Sequence, residues 1–257
     1  MIWRSLVASW LLVSPVGVGA QAIDLSRFVL VDLTHELAAD AAAWPGSRSP
    51  FQMDTITATA TAAMFRLTFN EHFATHMDAP RHASGAGWTN EQIPLSHLVA
   101  PLIVIDVRAA ASKDRDYGLT VVDVEVHERQ HGPVPRGAIV LLRTGWAKYW
   151  STPAMYFGAD TSVRPVKLHF PSFGVDAARL LVRRGVAVLG VDSPSTDIGA
   201  APSFAVHGVL GAANVPALEN LADLGALPPT GALLIALPIK TRGGSGGPVR
   251  VVAMVPR

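Results

Sequence analysis

Cysteine is absent from the 257 residues, which excludes disulfides, thiolate metal sites and a cysteine nucleophile. Charge is scarce as well. Charged side chains make up 16% of the chain, and 21 basic residues nearly cancel 20 acidic ones. Without a basic excess there is no field to neutralise a phosphate backbone, so nucleic acid is excluded as an expected partner. What is plentiful is apolar: 49% of residues are hydrophobic, which excludes a disordered or collagen-like chain. Gly (22) and Pro (19) suit a compact domain with many turns.

Residues 1–20 read as a leader outside the fold. Arg4 is the only charge before Asp24, Leu6 to Val13 is apolar, and Pro15 and Gly17 precede the small-residue end Val18-Gly19-Ala20. A basic start, an apolar centre and a small-residue cleavage site are the layout of a secretory signal peptide. The apolar stretch is shorter than the ~20 residues that span a bilayer. The expectation is an exported protein, in a bacterial periplasm, with no membrane contact once the signal is removed.

The remainder patterns as one α/β domain with a mixed β-sheet and packed helices. Strand-like runs cover Phe28 to Leu33, Met53 to Thr61, Leu102 to Val107, Ile139 to Arg143, Val186 to Val191, Leu233 to Leu237 and Val249 to Val255. Several are apolar without alternation, as in strands buried on both faces. Thr120 is placed to cap a helix running to Gln130. Ala177, Leu180, Leu181 and Arg184 follow a helical period that stops at Gly185. A third helix begins near Ser203 and includes His207 and Leu210. Pro216 interrupts the helical pattern before Ala217 to Leu224.

Chemistry concentrates in Asn70-Glu71-His72-Phe73-Ala74-Thr75-His76-Met77-Asp78-Ala79-Pro80-Arg81-His82. Imidazole nitrogen and carboxylate oxygen are good ligands for Zn²⁺ or Mn²⁺, and a site rich in them needs no thiolate. Pro80 opposes helix through Ala79, so a strand end or turn is expected rather than a zincin helix. In extended backbone, His72, His76 and Asp78 share a parity and face one side. An exposed polar loop with locally bonded histidines is the duller reading of the same residues.

This segment resembles the signature His-x-Gly-Thr-His-x-Asp-x-Pro-x-His of the cyclase-like metal hydrolases, which include bacterial kynurenine formamidase and isatin hydrolase. Ala74 stands where that signature has Gly, an exchange that Ala accommodates only at negative φ. Further matches are Val31-Asp32-Leu33-Thr34, Gly190 to Asp197, His207 with Glu219, and the loop Gly243 to Arg250. The resemblance implies a cyclase-like domain over residues 21–257, of the swivelling β/β/α type. It implies His72, His76, Asp78, His207 and Glu219 as metal ligands, His82 as catalytic acid/base, and a homodimer or larger homo-oligomer.

A divalent cation lowers the pKa of water from ~15.7 towards ~7 and polarises a carbonyl. An imidazole near that water suits both its deprotonation and protonation of a leaving nitrogen. The resemblance implies hydrolysis of the C–N amide bond of a small aromatic carbonyl compound, with isatin ahead of N-formylkynurenine or a lactone. An exported metal-binding protein without turnover is the alternative of another class.

Other residues read as structural. Gly243-Gly244-Ser245-Gly246-Gly247 matches a nucleophile elbow in letters only, because Pro248 and a β-branched run follow where an elbow needs a helix. It is expected as a turn near the site or a subunit contact. His127 and His131 read as solvated at a helix end. Asp192 and Asp197 read as caps at a strand end. Phe73, Trp88 and Trp146 are candidates for an aromatic pocket wall.

Overall fold

The computed structural model describes residues 24–47, 51–159 and 166–257, so the expected signal peptide lies outside the described residues. Eight strands form one sheet. In chain order, the strands are β1 (Phe28–Asp32), β2 (Phe51–Ala58), β3 (Ala63–Phe69), β4 (His76–Asp78), β5 (Val99–Asp106), β6 (Gly118–Leu119), β7 (Ile139–Arg143), β8 (Ser172–Phe173), β9 (Val188–Val191), β10 (Ala217–Glu219), β11 (Ala232–Pro238) and β12 (Gly246–Pro256). The main sheet runs β1-β12-β11-β5-β7-β9-β10-β4, and β4 also pairs with the start of β12, so the sheet curls round on itself. β5, β7, β9 and β10 run parallel to one another, while β11, β12, β1 and β4 pair antiparallel. The sheet is therefore mixed, as the sequence predicts.

Two-sided burial explains the apolar runs. β7 and β9 are buried at every position. Within β5 and β7, Leu102, Val104, Ile139 and Leu141 point into the core enclosed by the sheet. Ile103, Ile105, Val140 and Leu142 point outward under the helices. The two-residue period survives beneath a continuous apolar run because each face has its own cover. Truncating a residue such as fully buried Leu141 to Ala leaves a cavity costing about 2–5 kcal/mol.

The short helices are α1 (Leu95–Leu98), α2 (Arg108–Ala111) and α4 (Pro153–Tyr156); the longer ones are α3 (Val121–His131), α5 (Val175–Arg184) and α6 (Ala205–Ala212). Thr120 caps α3, its hydroxyl accepting from the Asp123 N–H. Gly185 ends α5 at φ 77°, a left-handed turn that glycine adopts without steric cost. The amphipathic α5 buries Ala177, Ala178, Leu180 and Leu181 against the sheet.

Three expectations need correcting. After Pro216 the chain forms the strand β10, not a helical turn, because it adds to the sheet beside β9. His127 is buried, not solvated; it faces inward from α3, while His131 is exposed. The run around Met53 ends at Ala58, and β3 returns as its partner in a hairpin that the sequence reading did not anticipate.

Candidate metal centre

Strand pairing assembles the site. β4 and β10 are antiparallel with Glu219 directly opposite His76, and Ala217 opposite Asp78. His76 and Asp78, two apart on β4, project to one face. α6 brings His207 to the same point, with its Nε2 3.2 Å from Asp78 Oδ2 and 3.3 Å from Glu219 Oε1. His76 Nε2 lies 3.2 Å from Asp78 Oδ1 and 3.6 Å from Glu219 Oε2. All four residues are buried.

The orientation of each imidazole is fixed from behind. His76 Nδ1 lies 2.9 Å from the Ala74 carbonyl, and His207 Nδ1 lies 2.6 Å from Asp197 Oδ2. Both partners are acceptors, so each Nδ1 donates and each Nε2 faces the carboxylates. Glu219 is held by the Thr196 N–H at 2.7 Å. Asp197 is thus more than a cap: it accepts from the Val206 N–H at the start of α6 and also orients His207.

The electrostatics call for positive charge at the centre. Burial pushes His207 down, but its bond to Asp197 and the adjacent Asp78 and Glu219 carboxylates raise it to about 12. Burial likewise opposes protonation of His76, yet Asp78 and Glu219 raise it to about 9. Against its own burial, Asp78 is held well below the carboxylate range by His207, His72 and His76. Asp78 Oδ2 is buried and makes no hydrogen bond of acceptable geometry. The Asp78 and Glu219 carboxylates each lie within 3.6 Å of the Nε2 atoms of His76 and His207, an arrangement stabilised either by extra protons or by a cation. A set of nitrogen and oxygen donors fits a divalent metal such as Zn²⁺ or Mn²⁺.

His72 and His82 sit one step out. His72 Nδ1 lies 2.6 Å from Asp78 Oδ1, and its Nε2 lies 3.0 Å from Ser245 Oγ. The expected shared parity fails at Ala74, whose φ of 53° turns the chain between His72 and His76. His72 nonetheless folds back onto Asp78. Ala occupies the left-handed region here, contrary to the expectation of negative φ. His82, on a short turn at Pro80–His82, is exposed at the rim. Its ring centroid is 3.8 Å from that of His72 and 5.6 Å from that of His207. Partial shielding of the ring, reinforced by His72 and His207, pulls His82 below the ordinary imidazole value despite Asp78. Two donor groups result: His76, Asp78 and Glu219; and His72, Asp78 and His82.

His72, His76, His207 and Glu219 line a cavity of about 470 Å³ walled by Trp44, Phe73, Phe157 and Phe204, and Asp78 is buried outside that lining. Phe73 is there as expected. Trp88 and Trp146 are not in its lining, and Trp44, Phe157 and Phe204 were not foreseen. Ser245 of the glycine loop bonds Glu71 at 2.6 Å as well as His72, so that loop is tied to His72 from behind without entering the cavity lining. Asn220, at φ 55°, donates from its amide to the Ala74 carbonyl at 2.9 Å and accepts from the Tyr156 hydroxyl at 2.9 Å.

The "Putative cyclase" family model matches residues 31–198, which include the His72–His82 segment. The chain belongs to the cyclase family. This cyclase chain is 33% identical over 199 residues to an isatin hydrolase from Roseibium aggregatum, covering 74% of each protein. It is 28% identical over 226 residues to a kynurenine formamidase from Salinibacter ruber, covering 87% of this chain and 96% of that one. Its fold superposes with a TM-score of 0.82 on the crystal structure of an isatin hydrolase bound to the product analogue thioisatinate, at 29% identity over 90% of this chain and 94% of that one.

Proposed function

We propose that this cyclase is a metal-dependent hydrolase that opens the C–N amide bond of a small aromatic carbonyl compound, with isatin as the preferred substrate. One observation carries the reading: His76, His207 and Glu219, gathered around the buried Asp78 carboxylate, line an aromatic-walled cavity with His82 at its rim. Likeness to an isatin hydrolase supports the substrate. Similarity to a kynurenine formamidase keeps N-formylkynurenine as the second candidate, and a lactone as the third.

His76, Asp78, His207 and Glu219 would hold the cation, with His72, whose Nδ1 lies 2.6 Å from Asp78 Oδ1, as a fifth donor. A bound divalent metal supplies Lewis acidity for the carbonyl and acidifies a water molecule. The aromatic walls orient a flat substrate and exclude bulk water. A ring nitrogen of His82, lowered in pKa and therefore neutral at pH 7, takes the proton from the attacking water. The same nitrogen returns it to the departing amide nitrogen as the C–N bond breaks, leaving a neutral amine and a carboxylic acid that ionises by giving its proton to solvent. Without that protonation the leaving group would be a strongly basic amide anion.

We further propose that residues 1–20 direct export to the periplasm, leaving 21–257 as the mature enzyme, and that the enzyme is a homodimer or larger homo-oligomer. The β2–β3 hairpin supports self-association. Its register places Phe51 opposite Phe69, Met53 opposite Leu67 and Thr55 opposite Phe65, an apolar ladder on one face. Met53, Phe65 and Leu67 are exposed, and a contiguous apolar face of this kind marks an interface.

The test is a panel of isatin, N-formylkynurenine and simple lactones with Zn²⁺ or Mn²⁺, run on the parent and on His82→Ala with metal content measured together. Turnover of isatin that falls by at least about 100-fold in His82→Ala, at unchanged metal content, is expected. Equal turnover in the variant would remove His82 from the mechanism. Inertness of the loaded parent towards the whole panel would favour a metal-binding protein without turnover.

A further inference from the structure

A second cavity, of about 830 Å³, opens at the carboxyl ends of the parallel neighbours β5 and β7, the position where open α/β sheets receive ligands. None of its lining residues is shared with the cavity over the metal centre. Trp146 stands between the two: it lines the second cavity and donates from Nε1 to the Tyr156 carbonyl at 2.7 Å. The Tyr156 hydroxyl in turn reaches Asn220 at the first cavity.

The lining has one dominant charge. Arg108, Lys113, Arg115 and Lys148 face a single acid, Asp223. Arg108 is neutralised by Asp106, with its Nη2 2.7 Å from Oδ2. Lys113 and Lys148 form no ion pair among the described residues, and Lys148 Nζ instead lies 4.8 Å from the centroid of the Tyr149 ring. The floor is different in kind. Trp146 and Tyr149 pack edge to face at 5.0 Å, and His35 lies stacked on Trp150 with ring centroids 4.1 Å apart. Burial of His35 lowers it to about 4, so it adds no charge at neutral pH.

We propose that this cavity is a binding site for a small organic anion, a carboxylate or phosphate monoester, whose charged group meets Lys113 and Lys148 and whose body lies on Trp146 and Tyr149. Concave shape, a surplus of one charge and an aromatic floor each favour that class: cations supply charge-assisted hydrogen bonds to anionic oxygens, and the rings supply apolar contact area. Inorganic phosphate would satisfy only the rim and leave most of the volume to water.

Titration calorimetry with benzoate, phenyl phosphate and uncharged benzyl alcohol tests the assignment on the parent, on the metal-stripped parent and on Lys113→Glu/Lys148→Glu. Both lysines are exposed, so the double variant is expected to fold, as a matched melting temperature would verify. Saturable one-to-one binding of an anion is expected, weakened at least tenfold in the double variant, restored in Lys113→Arg/Lys148→Arg and retained without metal. Benzyl alcohol is expected not to bind, and the tighter anion identifies the headgroup. Absence of saturable binding, equal binding in the charge-reversed variant, or loss of binding on metal removal would overturn the proposal; the last result would put the anion at the metal centre.

Discussion

Asp197 Oδ2 lies 2.6 Å from His207 Nδ1, while the other oxygen of the same carboxylate accepts from the Val206 N–H at 2.7 Å. One side chain therefore anchors the start of α6 and sets which nitrogen of His207 faces the Asp78 and Glu219 carboxylates. Partners of this kind contribute about 10–100-fold to metal affinity. Asp197→Asn is expected to weaken Zn²⁺ or Mn²⁺ binding by about that factor. Competition against a chelating dye measures it, and unchanged affinity would mean that Asp197 serves the helix alone.

Ala74 at φ 53° is buried between His72 and His76. A left-handed conformation costs an L-residue about 1–2 kcal/mol, partly offset because Gly loses more entropy on folding. Ala74→Gly is expected to raise stability by up to about 1 kcal/mol, seen as a higher urea midpoint at constant slope. A lower midpoint would show that the buried methyl group contributes more than the strain.

His35 gives stability a pH dependence. Its folded pKa is about 4 because burial disfavours the charged ring, against about 6.5 in the unfolded chain. Between those values the unfolded chain binds the extra proton. The stabilisation is complete above pH 6.5 and is lost as pH falls towards 4, by about 2 kcal/mol after allowance for the partial exposure of the ring. His35→Phe, which retains a ring against Trp150, is expected to flatten that part of the urea-midpoint profile. A profile identical to the parent's would place the acid sensitivity elsewhere.

Metal removal is expected to destabilise the fold. The donors come from β4, α6 and β10, so a cation that binds only the folded chain stabilises it by about 4 kcal/mol at a thousand times its dissociation constant. Thermal unfolding of the chelated protein, before and after Mn²⁺ or Zn²⁺ is restored, reads this directly. A melting temperature indifferent to metal would argue against these four residues as ligands.

The parallel strands were legible because they are apolar on both faces, and α3 and α5 because Thr120 and Gly185 mark their ends. β10 was not: three residues after Pro216 have no pattern of their own, and their state is set by hydrogen bonds to β4 and β9. The β2–β3 hairpin was half legible, its second strand being hidden in a mixed run from Ala63 to Phe69. His127 was misplaced because its spacing with His131 says nothing about which side of α3 faces the sheet.

By itself the sequence determined which donors are available, because the chain has no thiol and packs three imidazoles and an aspartate between His72 and His82. It also carried the family, through motifs whose order survives in one dimension. Tertiary structure alone decided that Glu219 stands opposite His76, that Asp197 turns His207, and that Trp44, Phe157 and Phe204 rather than Trp88 and Trp146 wall the cavity. Residue types fix which atoms are available to donate or accept, but distances between residues over a hundred positions apart depend on strand register and helix packing, which involve the whole core.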